Sequence, residues 1–127
     1  MIIDTDVLIW YMRGNTKAYR VIHRQRHGFS LSVVTYIELV QGMRNKRELN
    51  EFKKALRSWK ASVLPVNEAI SDKAKYYIEQ YYLSHSLQLA DALVAGTAVI
   101  HNLPILTGND KHYRMIPVIR LQKFSPL

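Results

Sequence analysis

Cysteine is absent from the 127 residues. A disulfide framework, a thiolate metal site and a cysteine nucleophile are all excluded, so any metal must be held by oxygen or nitrogen. The same absence favours the cytoplasm, which is the expected location. No low-complexity tract, internal repeat or linker interrupts the chain. Long apolar runs are missing too: each is broken well short of the ~18 residues that a membrane span needs. The opening Met1-Ile2-Ile3-Asp4-Thr5-Asp6 carries no basic stretch ahead of an apolar one, so a soluble protein that is not exported is expected. Acidic residues are scarce, ten against eighteen Lys and Arg, for a net charge of +8.

A hydrophobic content of 48% is enough to bury one core, and a single domain spanning residues 1–127 is expected. The basic excess falls between Arg13 and Arg26 and between Arg44 and Lys60. A helix face carrying Lys53, Lys54, Arg57 and Lys60, taken alone, reads first as a solvated surface. A net +8 on so small a chain nevertheless favours a polyanion, and nucleic acid phosphates supply a salt-dependent, sequence-blind attraction. An acidic partner protein is the alternative. A membrane surface fits least, because neither basic run has the amphipathic, Trp-rich pattern of an interfacial helix.

Met1 to Ile3 reads as a very short strand ending at Asp4, followed by a buried helix over Val7 to Met12 that stops near Gly14. Thr16 to Arg26 predicts an amphipathic helix with Tyr19, Val21 and Ile22 on its apolar side, and Phe29 to Ser32 a second strand. Helices follow over Val33 to Met43, with Val34, Ile37, Leu39 and Val40 inward, and over Lys46 to Trp59. Next come a strand at Ala61 to Val66, a helix capped by Asn67 and reaching about Leu83, and an apolar helix from Leu87 to Asn102. Leu103 to Leu106 predicts a buried strand, Thr107 to Tyr113 a loop or short helical turn, and Pro117 to Arg120 a last strand. Short apolar strands alternating with helices argue for an α/β fold with a doubly wound parallel sheet covered on both sides.

The acidic residues carry the chemistry. Glu48, Glu51, Glu68, Asp72 and Glu79 lie in ordinary polar helix contexts, whereas Asp4 follows Met-Ile-Ile and Glu38 interrupts Val33 to Val40. Asp91 likewise interrupts Leu87 to Ala95. An ionised carboxylate buried without compensation costs several kcal/mol, so each needs a cation, strong hydrogen bonds or a proton. Taken singly, Asp4 reads as a helix cap and Glu38 or Asp91 as half of a buried ion pair. None of the three apolar segments holds a Lys or Arg, however, and one shared divalent ion would satisfy all three. Asp4 stands at a strand's carboxyl end, where doubly wound sheets place their ligands. Oxygen ligands suit Mg²⁺ or Mn²⁺, and a basic surface beside them suggests phosphodiester hydrolysis by a metal-activated water.

Four stretches carry a resemblance: Ile2 to Ile9, Ser32 to Gly42, Leu89 to Ala98 and Leu106 to Tyr113. In order and in register, they resemble the PIN-domain family, specifically the VapC-type toxin ribonucleases of type II toxin–antitoxin systems. The resemblance implies a three-layer α/β/α sandwich with a short-stranded, mostly parallel sheet, and a Mg²⁺- or Mn²⁺-dependent endoribonuclease. It also implies a homodimer inhibited by a cognate antitoxin. By motif position, Asp4, Glu38 and Asp91 are the catalytic metal ligands, with Asp6 beside them and Thr107 and Asn109 orienting the site. Many relatives have an acid immediately before the aromatic that ends the last motif; here that place is His112, and Asp110 is the candidate fourth acid. His112 reads otherwise as a surface loop residue. Arg13, Arg44, Lys46 and Lys111 are the candidate nucleic-acid contacts.

Three rivals share these features. A phosphoacceptor receiver domain needs an Asp after a central strand, and Lys46 to Val66 contains none. A non-catalytic PIN-like protein that binds RNA or an antitoxin, and a DNA-directed nuclease, stay open, since no residue here reads the 2′-hydroxyl.

Overall fold

A computed structural model describes all residues, Met1–Leu127. The strands are β1 (Ile2–Ile3), β2 (Ser30–Ser32), β3 (Ser62–Leu64), β4 (Ile105–Thr107) and β5 (Leu121–Lys123). They form one sheet in the order β3-β2-β1-β4-β5, with every pairing parallel. The helices are α1 (Thr5–Met12), α2 (Thr16–His23), α3 (Val33–Gln41), α4 (Lys46–Ser58), α5 (Glu68–His85) and α6 (Leu89–His101).

Alternation of side chains along a strand divides the core in two. Ile3 and Leu106 face a cluster with Val7, Leu8, Ile22, Phe52, Leu56 and Trp59, from α1, α2 and the region of α4. Their neighbours Ile2 and Ile105 face the other way, into Ala74, Tyr77, Ala92, Val94, Ala95 and Ala98 of α5 and α6. Helices thus cover both faces of the sheet, the three-layer arrangement expected. Only β1 is wholly apolar, with Ile2 and Ile3 buried, while Ser62 and Val63 of the edge strand β3 are exposed.

Helix starts follow the short polar side chains. Asn15, Ser32, Asn45 and Asn67 accept from the backbone N–H of Ala18, Val34, Glu48 and Ile70 at 2.9–3.0 Å, which satisfies orphan first-turn donors. Ser86 and Asn102 end α5 and α6 in the left-handed region, at φ 57° and 53°. No helix is long and apolar enough to cross a membrane.

Four expectations need correction. The last strand is Leu121–Lys123, not Pro117 to Arg120. Tyr113 and Ile116 are anchored in the core, and a turn in which Ile119 N donates to Ile116 O follows them. The chain therefore first meets β4 at Leu121, opposite Ile105, and leaves Val118 exposed. Ile37, expected inward, is 49% exposed, because α3 buries Thr35 and Leu39 instead. Tyr19 is exposed as well, α2 burying Ala18 and Ile22 on that side and ending at His23 rather than Arg26.

Candidate active site

The winding of the sheet reverses between β1 and β4: the chain moves outward from β1 through β2 to β3, then returns to build β4 and β5 on the other side. In doubly wound sheets the loops leaving the carboxyl ends of two such strands diverge, and ligands bind between them. Asp4 leaves β1 at that point, and Thr107 to Tyr113 leave β4. The backbone N–H of Asp4 donates to Leu106 O at 3.0 Å, locking the two exits together.

Asp4 is only 6% exposed and is held from three directions. Its Oδ1 accepts from Thr5 N at 2.9 Å, so Asp4 caps α1. Its Oδ2 accepts from the hydroxyls of Thr107 and Tyr113, each at 2.9 Å. The helix cap thus takes one oxygen, and the two buried hydroxyls take the other. A carboxylate offers about four lone-pair positions, so three donors leave room for a cation.

Tyr113 links the helices to this carboxylate. Its ring is fully buried, and its hydroxyl lies 3.3 Å from Asp91 Oδ1 as well as 2.9 Å from Asp4. Burial and the two neighbouring carboxylates hold the phenol well above its ordinary range, so it stays a neutral donor. Asp91, in the first turn of α6, is raised in turn. Burial is the main cause, the facing His112 offsets part of it, and Asp4 and Glu38 push the same way as burial. Glu38 reaches the cluster through Thr5, whose hydroxyl gives its single proton to Glu38 Oε1 at 2.8 Å. Thr35 Oγ1 stands 2.9 Å from the Thr5 hydroxyl and completes its pairing.

Asp6 braces the opposite wall. Its Oδ2 accepts from Gly108 N at 2.8 Å, and Thr107 Oγ1 lies 3.4 Å from its Oδ1. Burial, followed by repulsion from Asp4, raises its pKa. A Cβ on Gly108 would stand 2.6 Å from Asp6 Oδ2 and 3.2 Å from Phe124 O, so a larger residue there would displace the Asp6 carboxylate from this bond. Gly108→Ala is expected to lower stability by about 1–3 kcal/mol in urea denaturation, the penalty for a buried acceptor deprived of its donor. An unchanged midpoint would remove Asp6 from the brace. Asn109 contributes its backbone N–H, to Thr107 Oγ1 at 3.0 Å, as a turn residue does.

Asp110 is not drawn into the cluster. Its oxygens face Arg114 Nε and Lys123 Nζ, each at 3.9 Å. His112, read from sequence as a surface residue, instead places Nδ1 3.2 Å from Asp91 Oδ2. Lys111 lies between these two in the chain and is exposed. Arg13 sits at the far end of α1 from Asp4, its guanidinium 5.8 Å from the Trp10 ring centroid. Arg44 is paired with Glu48 at 3.0 Å, and Lys46 is exposed at the start of α4. Only Lys111 of the four expected cations is therefore close to the acids in the chain, while Arg114 and Lys123 beside Asp110 were missed. Thr5, Tyr113 and His112 were missed as partners of the acids; the one available signal was a hydroxyl or imidazole flanking each acidic motif.

The family profile described as PIN domain matches residues 1–116. The chain belongs to the PIN domain family. Among PIN relatives, Ribonuclease VapC10 of Mycobacterium tuberculosis is 33% identical over 123 residues, covering 94% of this chain and 90% of its own. Ribonuclease VapC1 of Methanocaldococcus jannaschii is 29% identical over 128 residues, covering 98% and 83%. Among solved structures, a chain of a toxin–antitoxin complex from Klebsiella pneumoniae matches with a TM-score of 0.74. It is 20% identical and covers 99% of this chain and 97% of its own.

Whether this PIN domain fits a divalent cation is a question of donors and charge. As placed, no three of its His, Asp and Glu side chains converge to enclose an ion. Mg²⁺, however, is usually held by one or two carboxylates completed by water and substrate phosphate. Asp4 and Asp91, joined by one hydroxyl, with Asp91 raised by burial and by the charge of Asp4, meet that smaller demand.

Proposed function

We propose that this PIN domain is a metal-dependent endoribonuclease, the toxin of a type II toxin–antitoxin pair, hydrolysing RNA phosphodiester bonds in the crevice between β1 and β4. The observation that carries the reading is the convergence of Asp4 and Asp91 on the Tyr113 hydroxyl, with Glu38 approaching through Thr5. The 33% identity with Ribonuclease VapC10 over nearly the whole chain supports the substrate class.

Asp4, Asp91 and Glu38 would hold the ion, Mg²⁺ or Mn²⁺. When bound, it supplies a water of lowered pKa and neutralises charge growing on the phosphoryl oxygens. Thr107, Tyr113 and the Thr5 N–H fix the Asp4 carboxylate, so its free lone pairs are aimed before substrate arrives. Thr5 does the same for Glu38. Asp6 holds the start of the Thr107 to Tyr113 loop through Gly108 N, keeping both hydroxyls in register with Asp4. Lys111, Arg114 and Lys123 supply positive charge at the mouth for phosphates flanking the cut, and Arg44 and Lys46 extend that field along α4. A cognate antitoxin is the inhibitor, the active form is a homodimer, and the protein works in the cytoplasm.

The test is digestion of total cellular RNA by the purified protein, beside single- and double-stranded DNA. Discrete RNA fragments and intact DNA are expected, with end mapping revealing the target. Equal cutting of DNA would make this a general nuclease, and binding without cutting would make it a non-catalytic PIN protein. RNA affinity is expected to fall steeply with salt, by about 0.7 in log Kd per tenfold change in salt concentration for each phosphate contacted on a single strand. A flat response would remove the basic residues from the groove.

A further inference from the structure

His112 is the one imidazole in contact with the acidic cluster, and nothing else in the fold occupies it. Its Nδ1 stands 3.2 Å from Asp91 Oδ2, and its backbone N–H closes a turn onto Asn109 O. No other side chain hydrogen-bonds it or pairs with it. The side chain is 42% exposed, so it lies at the surface beside Asp91 rather than in the core. Its position is fixed from both sides in sequence. Tyr113, the next residue, is fully buried with its hydroxyl on Asp4 and Asp91, and Asp110 is turned outward to Arg114 and Lys123.

We infer that His112, held at 3.2 Å beside Asp91, is a nitrogen ligand of the cation site and makes that site favour Mn²⁺ and later transition ions over Mg²⁺. The inference rests on the metal-dependent reading above. Two donors in neighbouring positions on one octahedral ion, each about 2.1 Å from it, lie about 3 Å apart. The observed separation matches that spacing. The alternative site composition, with Asp110 turned inward, would require it to leave two cations.

The chemistry then sets the preference. Mg²⁺ is a small, hard ion that takes oxygen and dehydrates reluctantly, whereas imidazole binds first-row transition ions. Replacing one oxygen donor by a ring nitrogen gives Mg²⁺ little and strengthens Mn²⁺, with Co²⁺ gaining more along the Irving–Williams order. A carboxylate at the same place would add negative charge and serve both ions through oxygen.

The experiment is binding of Mn²⁺ and Mg²⁺ to the intact protein without RNA, for wild type, His112→Ala and His112→Asp. Affinities come from calorimetry, and the Mn²⁺ environment from pulsed electron paramagnetic resonance. The wild type is expected to show nuclear modulation from a directly bound ¹⁴N, absent from both variants. Loss of the imidazole should weaken Mn²⁺ about 10- to 100-fold and Mg²⁺ by less than about threefold. His112→Asp should restore Mg²⁺ binding to at least the wild-type level while leaving the nitrogen signal absent, which separates ligation from loss of fold. Wild-type Mn²⁺ binding without a nitrogen signal, or with one that survives in His112→Ala, would overturn the inference and leave the metal-dependent reading intact. Failure of the wild type to bind either ion would overturn both.

Discussion

Asp91→Asn is expected to reduce RNA cleavage by at least about 100-fold while the metal-free protein unfolds at the same temperature or a higher one. The two halves of this result have one cause. Asp91 is half-buried near Asp4 and Glu38, and its pKa is raised by burial and by their charge, against the partial relief from His112. A carboxyl group whose folded pKa exceeds its unfolded value binds its proton more tightly in the folded state. Its contribution to stability is thus complete below the unfolded pKa and is lost as pH rises through the folded one. Asp6 is raised in the same sense, by burial first and Asp4 second. In the absence of metal, wild type should therefore melt higher at mildly acidic pH than at neutral pH as far as these two groups are concerned. Asparagine keeps the shape and removes the charge, so Asp91→Asn should lose its share of that dependence. Thermal melts at several pH values, beside a cleavage assay, check both. A large drop in melting temperature with cleavage retained would make Asp91 a structural residue.

The largest effect on stability is expected at Tyr113. Its ring is the largest fully buried side chain, packed with Ile2, Ala92, Ile105 and Ile116, and its hydroxyl is shared by two carboxylates. Tyr113→Ala should cost about 3–5 kcal/mol, from lost burial and the cavity left behind. Tyr113→Phe keeps the ring and isolates the hydroxyl. It should cost about 1–3 kcal/mol for the acceptor left short of a donor, with cleavage falling because Asp4 is less firmly aimed. Urea denaturation separates the two variants. If Tyr113→Phe matched wild type in both stability and rate, the hydroxyl bridge would have no role in the site.

How far the sequence revealed this molecule depended on what kind of residue did the work. Asp4, Glu38 and Asp91 stood out because a carboxylate inside an apolar run is costly and demands a partner; the fold brings Asp4 and Asp91 to one hydroxyl, whereas Glu38 is exposed and bonds the Thr5 hydroxyl instead. The parallel α/β architecture followed from the alternation of short apolar strands with helices. Thr5 and Tyr113 gave no such signal, since a threonine after a strand and a tyrosine after a turn are unremarkable until tertiary structure aims their hydroxyls. That His112 rather than Asp110 lies against Asp91 was hidden for a similar reason. Arg114 and Lys123 lie 4 and 13 positions beyond Asp110, and only folding of β5 beside β4 brings the second of them to it. The edge strands were hardest to place, because β3 and β5 are partly solvated and their boundaries come from pairing register rather than from apolar pattern.

The most direct measurement is cleavage of total RNA by wild type and Asp4→Asn in Mg²⁺, in Mn²⁺ and in EDTA. Discrete fragments from the wild type with a divalent ion, and none in EDTA or from Asp4→Asn, are the expected result. Cleavage at the wild-type rate in EDTA, or by Asp4→Asn, would contradict a metal centre built on the carboxyl end of β1.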